Sequence, residues 1–237
     1  MENVETIFGL TLMAGAAMPI GATVACVDAI YPKWLTSELR HGILAFGGGA
    51  LVSAVALVLV PEGCDSLSVF PAAIAFAAGG FAFLCLDVIL AKTKSPAGQL
   101  AAMLSDFIPE AIALGAAFAL GKPVGLLLAV LIAIQNLPEG FNAYRELTGS
   151  KLFKGRQIIL AFSLMALLGP VAGLAGYFWL ASYPSLLGAM MLFASGGILY
   201  LVFQDIAPDS KMEQRWTPAL GAIAGFLLGM IGNMLVK

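Results

Sequence analysis

Eight stretches of about 20 mostly apolar residues run almost end to end along this chain, and nothing constrains its fold more. They cover 6–30, 43–60, 69–91, 98–120, 123–145, 157–180, 185–206 and 217–236. A stretch of that length crosses the hydrocarbon core of a bilayer as one helix, because the backbone must satisfy its own polar groups there. The apolar–polar alternation of a membrane barrel is absent. The sequence therefore predicts an all-α membrane protein with eight transmembrane helices in a single domain, 1–237. Charged residues make up only 11% of the chain, against about a quarter in a soluble domain. That excludes an ordinary soluble enzyme and a disordered chain. Twelve Lys+Arg against 14 Asp+Glu leave no basic excess to hold phosphates, so no nucleic-acid partner is expected. Cys26, Cys64 and Cys85 fit neither a disulfide framework nor a zinc-finger spacing, and read as small apolar filler. The first residues, MENVETIFGL, lack the basic start of a cleaved signal and read as part of the first span.

The punctuation between stretches agrees with this parsing. Tyr31-Pro32, Pro61, Ser95-Pro96, Pro184, Pro208 and Pro218 fall at or near segment ends, and Gly121-Lys122-Pro123 makes a tight turn. Basic residues orient the chain. Lys33, Arg40, Lys92, Lys94, Arg145, Lys151, Lys154, Arg156, Lys211 and Arg215 lie in the connections after odd-numbered spans, with only Lys122 and Lys237 on the other side. The positive-inside rule then places both termini outside. Tyr31, Trp34, Tyr177, Trp179, Tyr183 and Trp216 read as interfacial anchors. Gly221, Gly225 and Gly229 form a small-residue stripe on the last span, either a packing seam within the chain or the seam of a homodimer.

Spans 2 and 7 resemble each other. Phe46-Gly47-Gly48-Gly49 through Pro61-Glu62 matches Phe193-Ala194-Ser195-Gly196 through Pro208-Asp209 at an offset of 147 residues. Met18-Pro19 in span 1 parallels Gly169-Pro170 in span 6 more weakly. An offset of five spans reverses direction through the membrane, so spans 1–3 and 6–8 read as an inverted repeat around spans 4 and 5. Such repeats recur in secondary transporters, with sites near the midplane.

Spans 4 and 5 carry the chemistry. Asp106-Phe107-Ile108-Pro109-Glu110-Ala111 and Gln135-Asn136-Leu137-Pro138-Glu139-Gly140 share the form polar-x-x-Pro-Glu-small. Spacing of four residues puts Asp106 with Glu110, and Gln135 with Glu139, on one helix face each. Carboxylates inside a span are expensive and face a bundle interior or a watery path. Three carboxylates and two amides make a hard-oxygen cation site, with Asp106, Glu110, Gln135 and Glu139 as its principal ligands and Asn136 beside them. Pro109 and Pro138 cannot donate to the Ser105 and Ile134 carbonyls, which leaves those oxygens available to an ion or its water. Carboxylates must be deprotonated to bind a metal, so metal binding releases protons and affinity should rise from acid to neutral pH. Glu62 and Asp65 at the outer end of span 2, and Asp28, Asp87 and Asp205 near cytoplasmic ends, are candidates for the mouths of a cation path. His41, the single histidine, lies at the start of span 2.

At these residues the sequence resembles the ZIP (Zrt/Irt-like) family of metal transporters, whose motifs in spans 4 and 5 have the form His-Asn-x-Pro-Glu-Gly. Gln135-Asn136-Leu137-Pro138-Glu139-Gly140 is the close match, and span 4 the divergent one. The end of span 7, Tyr200 to Asp209, also resembles the family's acids followed by Pro-Glu. The resemblance implies eight spans with termini outside, frequent dimers, and movement of spans 1, 4, 5 and 6 against spans 2, 3, 7 and 8. It implies a plasma-membrane carrier, not an enzyme, that imports a divalent metal as its substrate, with membrane lipid as its surroundings. Zinc is the family default. The donors here are all oxygen, which suits manganese or ferrous iron too, with cadmium a further candidate. Asp106 stands where the family has its span 4 histidine. Phe107 replaces an asparagine that serves a second metal, and Gly169 stands where a glutamate would precede Pro170. One principal site is therefore expected. Two other functions remain open: a metal-binding relative that senses without transporting, and an intramembrane aspartyl hydrolase. For the second there is no HExxH and no Gly-x-Ser-x-Gly.

Overall fold

The computed structural model describes residues 2–28, 33–93, 97–121, 124–150, 152–212 and 216–236. The expected turns at Tyr31-Pro32, Ser95-Pro96 and Lys122-Pro123 lie outside these residues, as do Lys94, Lys151, Arg215 and Lys237. So do the side chains of Asp28, Lys33, Trp34 and Lys92. No strand occurs among the described residues. The helices are α1 (Glu2–Asp28), α2 (Lys33–Ala54), α3 (Val60–Asp65), α4 (Val69–Thr93), α5 (Ala97–Ala119) and α6 (Val124–Gly149). Then follow α7 (Gly155–Ala166), α8 (Leu168–Phe178), α9 (Pro184–Leu201), α10 (Ala207–Ser210) and α11 (Thr217–Val236). Because α2 continues into α3, α7 into α8 and α9 into α10, they fall into eight long runs. Seven of the runs, among the described residues, are long and apolar enough to cross a membrane. The remaining run is α5, 23 residues long with Pro109 inside it.

Two runs widen for one turn ahead of a proline. The Val60 N–H bonds to the Val55 carbonyl, and the Ala207 N–H to the Val202 carbonyl, five residues back instead of four. Pro61 and Pro208 account for both wide turns. Neither has an N–H for the carbonyl four residues back, and each ring crowds that carbonyl. One extra residue in the turn relieves the crowding. Val55–Leu59 and Val202–Ile206 are again 147 residues apart, so the sequence offset recurs in the backbone. A different proline breaks α7 from α8. Pro170 has no N–H for the Ala166 carbonyl, and Leu167 closes a tighter turn onto Leu164 at 3.2 Å. The α5–α6 connection starts at Gly121, whose φ of 66° is in the left-handed region that glycine tolerates best.

Packing sorts the helices into two groups. In one, α1 lies along α6 and the α7–α8 run, and α5 lies along α8. In the other, α2 lies along α11 and α4 along α9. Within each group backbones meet. A Cβ on Gly49 would strike the Ala222 carbonyl, and one on Gly196 the Phe76 carbonyl. In the first group Gly21 abuts the Leu137 carbonyl and Gly140 that of Met18, while Gly115 abuts Gly173 and Gly176 abuts Ile112. Between the groups, side chains fill the gap: the Pro138 ring against Gly47, and the Leu127 side chain against Gly232.

The stripe of Gly221, Gly225 and Gly229 rests on Gly42, Phe46 and Ser53 of α2, so it is a seam within the chain. The outer faces of α4 and α11 are the most exposed apolar surfaces, with Phe70, Ile74 and Phe81 on one and Ile223, Leu227 and Met234 on the other. Apolar side chains facing outward are what a lipid surround demands. Trp179, Tyr183 and Trp216 are exposed near the ends of runs, whereas the Tyr177 ring packs edge-on to Phe178 at 5.0 Å. The cysteines are free and exposed. The sequence reads them as small apolar filler, and the structure places them at the surface and not in the core.

Candidate metal site

The two proline-bearing helices α5 and α6 meet at the polar residues of their motifs. Gln135 Nε2 donates to both carboxylate oxygens of Glu110, each at 2.6 Å. Both residues are buried, Glu110 at 1% exposure. Taking a carboxylate out of water costs on the order of several kcal/mol unless charge or hydrogen bonds compensate. A neutral amide supplies hydrogen bonds and leaves the negative charge in place.

Two oxygens beside this pair lack partners. Asp106 Oδ1 and Gln135 Oε1 are buried with no hydrogen-bond donor, and Asp106 is 6% exposed. Asp106 lies one turn before Glu110 on α5, close enough to Glu110, Glu139 and Asp205 for their charges to interact. Buried acceptors without donors are normally explained by an ion or a water. An oxygen set of this kind suits a hard divalent cation. Glu139 is less deeply buried than Glu110. Asn136 is buried beside them, and its Nδ2 donates to the Ala14 carbonyl of α1 at 3.0 Å, which leaves the amide oxygen, the atom that could ligate a cation, outside that bond.

Convergence is therefore partial. Glu110 and Gln135 are brought into contact, Asp106 and Glu139 stand nearby, and Asn136 ties α6 to α1. Among the described residues no three His, Cys, Asp or Glu side chains close around one point as a finished metal cage. The neighbour of Asp106, Phe107, is wholly buried. Its ring occupies the space that a Cβ on Gly15 or Gly169 would need.

The polar face of α6 continues beyond the motif. Gln135, Glu139, Asn142 and Glu146 follow one another at helical spacing, and Asn142 Oδ1 is also buried without a partner. Asn142 and Glu146 escaped the motif-based reading, although the steps of four, three and four residues were visible in the sequence. Asp205 lies within the wide turn Val202–Ile206. Its charge interacts with those of Asp87, Asp209 and Glu146. Asp87 in turn accepts a hydrogen bond from Tyr200 Oη at 2.8 Å. At the other end of the bundle Glu62 and Ser66 line a small cleft with Leu120, Val124 and Pro184. Asp65 is exposed beside it, and His41 is half-buried on α2.

No model of a known protein family matches the chain. Individual proteins do. The chain is 25% identical to the zinc transporter ZupT of Chlorobium chlorochromatii (strain CaD3) over 279 residues, spanning 99% of this chain and 98% of the relative. It is 34% identical to the zinc transporter GufA of Myxococcus xanthus over 139 residues, 57% of this chain and 53% of that relative. The first match runs the full length of both chains, so the likeness is not confined to one motif.

Proposed function

We infer that this chain, a member of the ZIP family and a multi-pass membrane protein, carries divalent metal ions across its membrane through the oxygen site of α5 and α6. The observation that carries the reading is the buried Glu110–Gln135 contact with two partnerless oxygens beside it. Asp106, Glu110, Gln135 and Glu139 are the proposed ligands, with Asn136 holding α6 in place. Zinc is the substrate suggested by the names of the relatives. The all-oxygen donors extend the range to manganese, ferrous iron and cadmium.

The reading includes eight crossings, both termini outside, and an inverted repeat. The repeat is supported by the 147-residue offset of the wide turns and by the matched pairings of α2 with α11 and α4 with α9. Metal moves toward the cytoplasm as the two helix groups shift against each other. Backbone contact within each group favours rigid bodies. A border of side chains between them favours sliding.

Uptake into proteoliposomes of zinc, manganese, ferrous iron, cadmium and magnesium tests this, with Glu139→Ala beside the wild type. The expected result is saturable flux that the substitution abolishes, and weaker metal binding as the pH is lowered. Metal bound without flux would mean a sensor and overturn transport.

A further inference from the structure

The two halves of the repeat pack alike on one side and differently on the other. Gly49 of α2 abuts the Ala222 carbonyl of α11, and Gly196 of α9, 147 residues on, abuts the Phe76 carbonyl of α4. In return Gly225 of α11 abuts the Phe46 carbonyl, and Gly79 of α4 that of Phe193, again 147 residues on. The crossing of α2 with α11 is thus repeated by that of α9 with α4. The offset gives this part of α2 a counterpart on α9 in space and not only in sequence.

Toward the first group of helices the likeness ends. Gly47 maps onto Ala194. The hollow at Gly47 holds the buried Pro138 ring of α6, whose Cγ would lie 2.7 Å from a Cβ placed there. Ala194 keeps its methyl, at 2% exposure. The glycines of α9 do not receive α5: Gly188 meets α3, and Gly196 and Gly197 meet α4. Between α9 and the α5–α6 end there is instead a cleft, lined by Ala117, Leu120 and Val124 on one side and by Leu187, Gly188 and Met191 on the other. Met191 stands about one helical turn before Ala194. The border is therefore shut at Gly47 and parted near Ala194.

We propose that Gly47 and Ala194 set the resting state of the carrier: the glycine seats Pro138 and keeps the α2–α6 border shut, while the Ala194 methyl hinders the equivalent closure of α5 on α9. This rests on the two-body reading above. In an inverted repeat the opposite state interchanges the roles of the two halves. The cleft would then close and α5 would press on α9 at Ala194, where a methyl fills the space that Gly47 leaves open. In a close-packed border one methyl is enough to weight such a choice.

The test is the distance between spin labels at Leu120 and Leu186, exposed residues beside the cleft at the end of α5 and on α9. It uses pulsed electron resonance on the full chain in detergent, with Cys26, Cys64 and Cys85 replaced. Wild type is expected to show mainly the longer of two distances. Gly47→Ala crowds the Pro138 ring, and Ala194→Gly opens the missing hollow. Each should raise the ratio of short to long about fivefold or more, and the two combined should raise it further than either alone. Gly9→Ala, on an exposed face, should leave it unchanged. A ratio unmoved by Ala194→Gly in a chain that still melts cooperatively, or moved equally by Gly9→Ala, would overturn the inference. So would a shift toward the longer distance. The labels need no flux, so a wild type whose distances redistribute as expected but which carries no metal would overturn the transport reading and leave this one standing.

Discussion

One amide nitrogen holding both oxygens of Glu110 is the contact on which the site turns. The amide fixes the carboxylate without neutralising it, and leaves its own oxygen without a donor. Exchanging Gln135 for Glu separates these roles. Two carboxylates would meet where an amide and a carboxylate meet now, and like charges at that distance repel strongly in a low-dielectric interior. A divalent ion between them would turn the repulsion into ligation. Gln135→Glu is therefore expected to melt earlier than wild type without metal and to gain a larger upward shift on adding zinc, by several degrees. Equal zinc-induced shifts in the two proteins would show that Gln135 is not beside the ion. The residue types of the candidate site stand out in the sequence, because acids and amides inside apolar spans have few other uses. Their register does not. The two motifs align 29 residues apart, Asp106 on Gln135 and Glu110 on Glu139, whereas the hydrogen bond joins residues 25 apart. The level at which two helices meet is set by such contacts and by the turn at Gly121. Motif similarity carries no information about it.

At the scale of elements, lipid supplies no hydrophobic drive to bring helices together, so close fit has to do it. Glycines placed against carbonyls provide that fit. Gly225 has the Phe46 carbonyl in the space a Cβ would need, while Gly9 on α1 has nothing within 4 Å. The same substitution should thus act in opposite senses. Gly225→Ala is expected to cost about 1–3 kcal/mol through overpacking. Gly9→Ala should be neutral or stabilise by up to about 1 kcal/mol, since alanine is the better helix former. Unfolding midpoints in detergent distinguish them, and similar midpoints would mean that α2 and α11 are not in backbone contact. The helices themselves were legible, since apolar length in a membrane leaves the backbone no other choice. The stripe on the last span was legible as well, as a seam of one kind or another. The wide turns were not. Pro61 and Pro208 were readable only as segment ends, yet the helices run through both and absorb each proline by one extra residue. Whether a proline stops a helix or widens it depends on what packs around it. Here Gly63 of α3 rests on the Gly188 carbonyl of α9, which holds the continuation in place.

For the whole molecule the consequence is two bodies with an asymmetric border. Backbone-to-backbone contact locks α1, α5, α6 and the α7–α8 run together, and separately α2 with α11 and α4 with α9. Across the border the Pro138 ring seats in the hollow at Gly47, one residue before the Glu139 proposed to bind metal. The proposed sliding of the bodies would unseat this ring, so tying its position down should stop transport while the ligand side chains themselves are unchanged. A Cβ on Gly47 would lie 3.5 Å from the Pro138 Cβ, within the usual range for a disulfide of about 3.5–4.5 Å. The double substitution Gly47→Cys with Pro138→Cys, in a chain whose exposed Cys26, Cys64 and Cys85 have been replaced, supplies the lock. Reduced, it is expected to retain measurable metal uptake in proteoliposomes. Oxidised, it should lose uptake almost completely and regain it on reduction, while zinc still binds with a Kd within about threefold. Loss of binding along with flux would mean that the bond distorts the site. Full flux with the bond formed would mean that α2 and α6 travel together, and the division into two bodies would have to be drawn elsewhere.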